Sequence, residues 1–265
     1  MDACNVVVTG SHPEYMSVEM EGAFRQFVAR GGNLAYLGGN GFSTVAAFHR
    51  DLMELRRSPL EAGRTWDGAV ADQTLAITNE PGGYLRNRGR GEFSLIGVAI
   101  SLMGFEKALP YQRTPVSHEP EFDWLFDSVT GETFGATGMV LGGVAGYEVD
   151  ATDEHLGTSP DTVVLARATD FPASHFHDPS RWYEGGEPEI AEHRCAEMTL
   201  RACSAGGIIF SASSVAWCGA LPEGGDMNDV GRITMNLLQR LATRARAVTP
   251  QRSSAQQLRA GPSED

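Results

Sequence analysis

The apolar pattern opens with Val6-Val7-Val8 and turns polar at Gly10-Ser11, so residues 5–9 read as a short buried strand. Ser17 stands where a helix N-cap belongs, with Glu19 in the first turn. Met20, Phe24, Phe27 and Val28 follow at helical spacing until Gly31-Gly32 ends the run. Residues 34–37 form the next apolar segment, a strand closing at Gly38-Gly39. Strand, helix and strand over this length make a βαβ unit, whose crossover requires a parallel pair.

Farther on the pattern is less regular. Residues 66–90, rich in Gly, Asn and Arg, read as short strands and long loops, and residues 93–103 as an apolar helix stopped near Gly104. Phe122, Trp124, Leu125 and Phe126 predict a short aromatic helix that belongs to the core. Residues 139–149 and 162–167 read as strands. Residues 196–202 and 208–211 form an antiparallel pair around the turn Ser204-Ala205-Gly206-Gly207. Asn228 opens a helix with Val230, Ile233, Leu237, Leu238 and Leu241 on one face. From Thr249 the apolar period dissolves into Ser, Gln, Pro and Arg. The expected organisation is one domain over 1–248, a three-layer α/β fold on a mostly parallel sheet with some antiparallel strands, and a disordered tail over 249–265.

Composition narrows the function classes. With 265 residues, 42% of them hydrophobic and 21% charged, the chain has material for an ordinary globular core. A formal net charge of -13 argues against nucleic acid as the main partner. Arg86, Arg88 and Arg90 form a local basic cluster whose simplest role is a solvated loop or a salt-bridged surface, with a partner or anion contact as the alternative. Cys4, Cys195, Cys203 and Cys218 include no C-x-x-C pair, so they read as reduced structural thiols of a cytoplasmic protein. No apolar run is long enough to cross a bilayer, and the first residues lack the pattern of a secretory leader.

Two segments carry candidate chemistry. His12-Pro13-Glu14 follows the first strand, and groups at i and i+2 of an extended segment project to one side. An imidazole and a carboxylate so placed can converge on one metal ion, with Zn, Fe or Ni suited better than Mg or Ca. The same spacing also describes an ordinary surface or capping histidine. His175-Phe176-His177-Asp178 is the competing candidate. Its histidines would share one face of a strand as a metal pair does, but Pro172 and Pro179 bracket it and favour a loop.

The flanking motifs select between these. His12-Pro13-Glu14, Asn33-Leu34-Ala35-Tyr36-Leu37-Gly38-Gly39-Asn40-Gly41-Phe42, Gly82-Gly83-Tyr84-Leu85-Arg86, Gly146-Tyr147-Glu148-Val149-Asp150, Phe210 to Cys218 and Asn228 to Thr234 occur in one order. This chain resembles the C-terminal domain of the N,N-dimethylformamidase large (beta) subunit family over almost everything but the tail. The resemblance implies a class I glutamine-amidotransferase-like (flavodoxin-like) fold. None of the four cysteines lies in the Gly-x-Cys-x-Gly turn of such enzymes, which argues against cysteine-dependent chemistry.

What the resemblance implies for function is hydrolysis of a small N-substituted formamide or amide at a mononuclear iron. His12 and Glu14 match two of the iron ligands. The third, a tyrosine, lies in a part of the large subunit outside this chain, and Tyr15 is no substitute because an adjacent residue points the other way. Glu148 matches the position of a catalytic carboxylate and would serve as general base; its plain alternative is to cap a strand end. Asn40 would donate to a developing oxyanion; its plain alternative is to occupy a left-handed turn. Met16, Ser43 and Thr44 stand where the family carries aromatic residues, and small polar groups there would widen or wet the pocket. The implied partners are a small amide substrate and the N-terminal part of the large subunit with a small subunit, or another copy of the chain, with neither nucleic acid nor membrane. The isolated chain is expected to be inactive. The rival reading is a non-catalytic amidotransferase-like binding or assembly module.

Overall fold

Strand β1 (Val6–Ser11) passes through the two-residue strand β2 (Tyr15–Met16) into helix α1 (Val18–Ala29) and out to β3 (Asn33–Gly38). The structure is a computed structural model and describes residues 4–56, 74–177, 194–222 and 227–243. The chain continues as β4 (Thr44–His49), β5 (Leu52–Leu55), α2 (Glu92–Ile96), β6 (Ala99–Leu109), β7 (Tyr111–Arg113), β8 (Thr133–Phe134) and β9 (Ala145–Ala151). It ends with β10 (Val163–Ala168), β11 (Phe176–His177), β12 (Ala196–Ala202), β13 (Ile208–Ser211) and α3 (Asp229–Thr243).

The opening βαβ unit is present as predicted. Ser17 Oγ accepts the Met20 N–H at 3.1 Å, giving one of the orphan donors of the first turn a partner. Gly31, at φ 79°, turns the chain out of α1 where a residue with a Cβ would be strained. β1 then pairs parallel with β3. β1 is not the buried strand expected, however. It forms one edge of the sheet, and Val8 is 46% exposed.

The main sheet has seven strands in the order β1-β3-β13-β12-β10-β7-β8. β3 is buried on both faces because its side chains alternate between two cores. Leu34 and Tyr36 join Phe24 of α1, Phe42, Val45 and Ile209 on one side, while Ala35 and Leu37 join Phe210, Trp217 and the α3 residues Ile233 and Leu237 on the other. Trp217 anchors that second core, fully buried, its indole N–H donating to Thr234 Oγ1 at 3.1 Å. Asn228 Oδ1 accepts the Gly231 N–H at 2.8 Å and starts α3 as predicted.

The expected three-layer α/β fold, flavodoxin-like and amidotransferase-like on a mostly parallel sheet, is overturned. In the main sheet, β1–β3 and β3–β13 pair in parallel and the other four pairings are antiparallel. Two three-stranded sheets, β11-β6-β9 and β2-β4-β5, accompany it. Among the described residues the α-helices number three, and α2 has five residues. Residues 93–103 are not the expected helix either. Gly97, at φ 84°, ends α2, and the chain continues as the eleven-residue strand β6. Its first half is buried on both faces, and such a run carries no period that separates a strand from a helix. The aromatic segment near 122 is a 3-10 helix, Pro120–Phe122, with Phe122, Leu125 and Phe126 buried as expected. Residues 139–144 are turns, and β9 starts only at Ala145. The β12–β13 hairpin matches its predicted bounds. The tail over 249–265 and the boundary at 248 lie outside the described residues, as does part of the 66–90 reading.

Candidate active site

Three elements meet at one point: the turn after β1, the glycine-rich turn after β3, and β9. The glycines there are required by close backbone approach. A Cβ on Gly39 would lie 2.7 Å from Val215 N and closer still to the Glu148 carbonyl oxygen, and one on Gly38 would strike the Ser11 backbone. Hydrogen bonds fix the same junction. Gly39 N–H donates to Ser11 O at 3.1 Å, Phe42 N–H to Pro13 O at 2.9 Å, and Val215 N–H to Glu148 O at 3.1 Å.

The three predicted site segments therefore converge. His12 Nε2 lies 2.8 Å from Glu148 Oε2 and 3.6 Å from Glu14 Oε2. Asn40 Nδ2 donates to the same Glu148 oxygen at 2.9 Å and lies 3.3 Å from His12 Nε2. Glu14, Glu148 and Asn40 are buried, whereas His12 keeps 30% of its side-chain surface exposed on the open side. Its hydrogen bond to Glu148 raises the His12 pKa above the ordinary imidazole value, partly offset by burial and reinforced by the charges of Glu148, Glu14 and Asp150. Tyr147 places its ring edge-on to His12 at 6.5 Å and to Phe105 at 5.1 Å, from a left-handed backbone at φ 68°.

Sequence reasoning assigned no role to a second layer beneath Asn40. Asp150, fully buried, accepts the Asn40 backbone N–H on Oδ1 at 2.8 Å and the Tyr36 hydroxyl on Oδ2 at 2.8 Å. Tyr36 oxygen in turn accepts the Gly41 N–H at 2.7 Å. Burial, with the Asp150 charge beside it, pushes the Tyr36 phenol well above its ordinary range, so it remains a donor. Ser43 Oγ donates to Asn40 Oδ1 at 3.2 Å, which orients the amide with its NH2 toward Glu148. Ser43 and Thr44 are 1% and 0% exposed, so these small polar residues do not face solvent as expected, and Ser43 supports Asn40. The available signal for Asp150 was its position two residues after Glu148 on a strand, which puts both carboxyls on one face.

Among the described residues, the competing histidines belong to no group of three or more side chains that could hold a metal ion. His175 is buried against Phe171 and over Gly104, where a Cβ would overlap its ring, and Arg194 donates to its carbonyl at 3.1 Å. Burial, then the Arg194 charge, lowers its pKa, the setting of a neutral core histidine. Asp178 and Pro179 lie outside the described residues. The arginine cluster is salt-bridged, but inward rather than on a solvated surface: Arg86 pairs with buried Glu92 at 2.5 Å, and Arg90 and Arg25 both pair with buried Glu21. All four cysteines are free thiols. Among the described residues no helix is long and apolar enough to cross a membrane.

A metal would find a partial donor set here. Among the described residues no three or more His, Cys, Asp or Glu side chains are grouped to hold a metal ion. His12 Nε2 and Glu14 Oε2 at 3.6 Å nevertheless have a spacing that two neighbouring ligands of one ion can adopt with metal–ligand bonds of about 2.0–2.2 Å. Two carboxyl groups, those of Glu14 and Glu148, face one imidazole, more negative charge than the set balances by itself. The residues fit two ligands of one ion.

Comparison with known proteins gives these residues a context. The sequence family described as N,N-dimethylformamidase beta subunit-like, C-terminal, matches residues 1–230. The N,N-dimethylformamidase beta subunit of Paracoccus aminophilus is 32% identical over 245 residues, covering 88% of this chain and 31% of that protein. The subunit of the same name from an Alcaligenes species is 30% identical over 246 residues, covering 88% and 31%. The chain thus spans about a third of the length of the curated relatives it matches. It belongs to the N,N-dimethylformamidase beta subunit-like, C-terminal family.

Proposed function

We propose that this member of the dimethylformamidase family supplies part of the active site of an amidohydrolase acting on a small N-substituted formamide or amide. The observation that carries the reading is the convergence of His12, Glu14, Asn40 and Glu148 from three separate segments, with Glu148 Oε2 receiving both His12 and Asn40. His12 and Glu14 would hold a mononuclear iron, with the tyrosine ligand outside this chain. The ion would supply Lewis acidity toward the amide carbonyl and toward water.

The chain's own residues perform the proton work. Glu148 takes a proton from the attacking water and returns it to the leaving amine as the C–N bond breaks, so that amide and water become carboxylic acid and amine. Asn40, fixed by Ser43 and by the backbone below it, presents its NH2 where negative charge develops on the carbonyl oxygen. Relatives named as a beta subunit support assembly with another subunit, in which the rest of the site would be found.

The 2.8 Å contact between His12 and Glu148 favours a second assignment for the histidine alone. One nitrogen cannot bind an ion and donate to Glu148 together, so His12 would then be the proton partner of Glu148, with Glu14 left as the ligand from this turn. Iron content separates the two. Under the first assignment His12→Ala and Glu14→Ala both lose iron; under the second only Glu14→Ala does. Iron retained in both variants refutes a metal site at this turn.

A further inference from the structure

We propose that Asp150 is a positioning residue of the site, acting through Tyr36 and the backbone of Asn40. This rests on the reading that Asn40 and Glu148 work together. Asn40 stands at φ 46°, a left-handed turn conformation that asparagine tolerates, and its backbone there is tied to one carboxylate. The two consecutive N–H groups of the turn, Asn40 and Gly41, both end on it: Asn40 directly at 2.8 Å, Gly41 by way of the Tyr36 hydroxyl at 2.7 and 2.8 Å.

Asp150 and Glu148 lie on the same face of β9. The strand thus grips one residue twice, by its backbone through Asp150 and by its side-chain amide through Glu148. The first grip sets where the second is made. A buried carboxylate also suits this task better than a neutral acceptor, because its hydrogen bonds to N–H and O–H groups are charge-assisted. Tyr36 locks the carboxylate orientation, since its hydroxyl occupies Oδ2 and leaves Oδ1 for Asn40.

The test is nuclear magnetic resonance of the full chain labelled with 15N-asparagine, with Asn40 signals assigned by their loss in Asn40→Ser. Glu148→Gln is the reference variant and should move the Asn40 side-chain amide signals. Asp150→Ala should move the same signals by a comparable amount and shift the Asn40 backbone amide upfield, as a charge-assisted bond is lost. Asp150→Asn, whose amide oxygen can still accept from Asn40, should recover most of the wild-type side-chain position. Tyr36→Phe keeps the ring packed and should give a smaller displacement in the same direction, so the test survives if Asp150→Ala does not fold. Side-chain signals unmoved in Asp150→Ala or Tyr36→Phe, but moved by Glu148→Gln, would overturn the positioning role while leaving the Asn40–Glu148 pair intact. Signals unmoved by Glu148→Gln would instead remove that pair, and the proposal with it.

Discussion

Gly39→Ala is the sharpest perturbation of this architecture. Gly39 has an ordinary negative φ, so any penalty arises from space alone. Its new methyl would meet only backbone: Val215 N at 2.7 Å, Ser214 C at 3.1 Å and the Glu148 carbonyl oxygen nearer still. None of these atoms can rotate away, unlike the end of a flexible side chain. Reaching van der Waals separation requires the β3 turn and β9 to part by ~0.5 Å or more. Overpacking of this kind costs about 1–3 kcal/mol. For a chain of this size that corresponds to a melting temperature lower by roughly 2–12 °C. The displacement also lands on the residue bearing the proposed base, where a ~1 Å misplacement can cost on the order of a hundredfold in rate. Gly142→Ala is the control: at φ 82° with nothing within 4 Å it carries conformational strain but no clash, about 1–2 kcal/mol, and leaves the site unchanged. The assay is thermal unfolding of both variants beside a 15N spectrum of Asn40. A Gly39→Ala chain that melts with the wild type and keeps its Asn40 signals would refute the close approach of the two segments.

Ser43→Ala removes the donor to Asn40 Oδ1 and should cost about 0.5–1.5 kcal/mol in chemical denaturation, with broadened Asn40 side-chain amide signals as the amide loses its fixed orientation. Asn228→Ala removes the cap of α3 and should cost about 0.5–2 kcal/mol without touching the Asn40 signals. His175 supplies a pH dependence. Its folded pKa is lowered by burial and Arg194, so the unfolded chain binds the proton more readily, and the stability tied to neutral His175 is present above ~6.5 and lost as pH falls below it. His175→Phe should therefore flatten the acid limb of a stability–pH curve; an unchanged limb in a folded variant would contradict that assignment.

How much could be read in advance follows from where each signal is local. The α1 cap at Ser17, the α3 cap at Asn228 and the β12–β13 hairpin carry their signals within a few residues, and each stands where the sequence places it. The sheet's overall order is not local. The first half of β6 is covered on both sides, so helix and strand look alike over residues 93–103, and the α/β expectation extended the opening βαβ unit and the family resemblance across strands that pair antiparallel. The site divides in the same way. Family motifs drew attention to His12, Glu14, Asn40 and Glu148, and the structure brings all four together. Asp150 and Tyr36 stand 114 positions apart, and nothing short of the assembled sheet shows that they share a hydrogen bond. Ser43, standing where the resembled family carries an aromatic residue, suggests a wider or wetter pocket in sequence, and its bond to Asn40 is visible only once the turn has closed.

The most direct test of the central claim is amine release from a panel of small N-substituted formamides and amides by the chain isolated from its native cells together with whatever it assembles with, wild type against Glu148→Gln. The account predicts amine and carboxylic acid in equal amounts from at least one of them with the wild-type assembly, and a loss of ~100-fold or more on removing the general base. Amine release that survives Glu148→Gln undiminished, or a folded assembly that releases none from any of them, would contradict it.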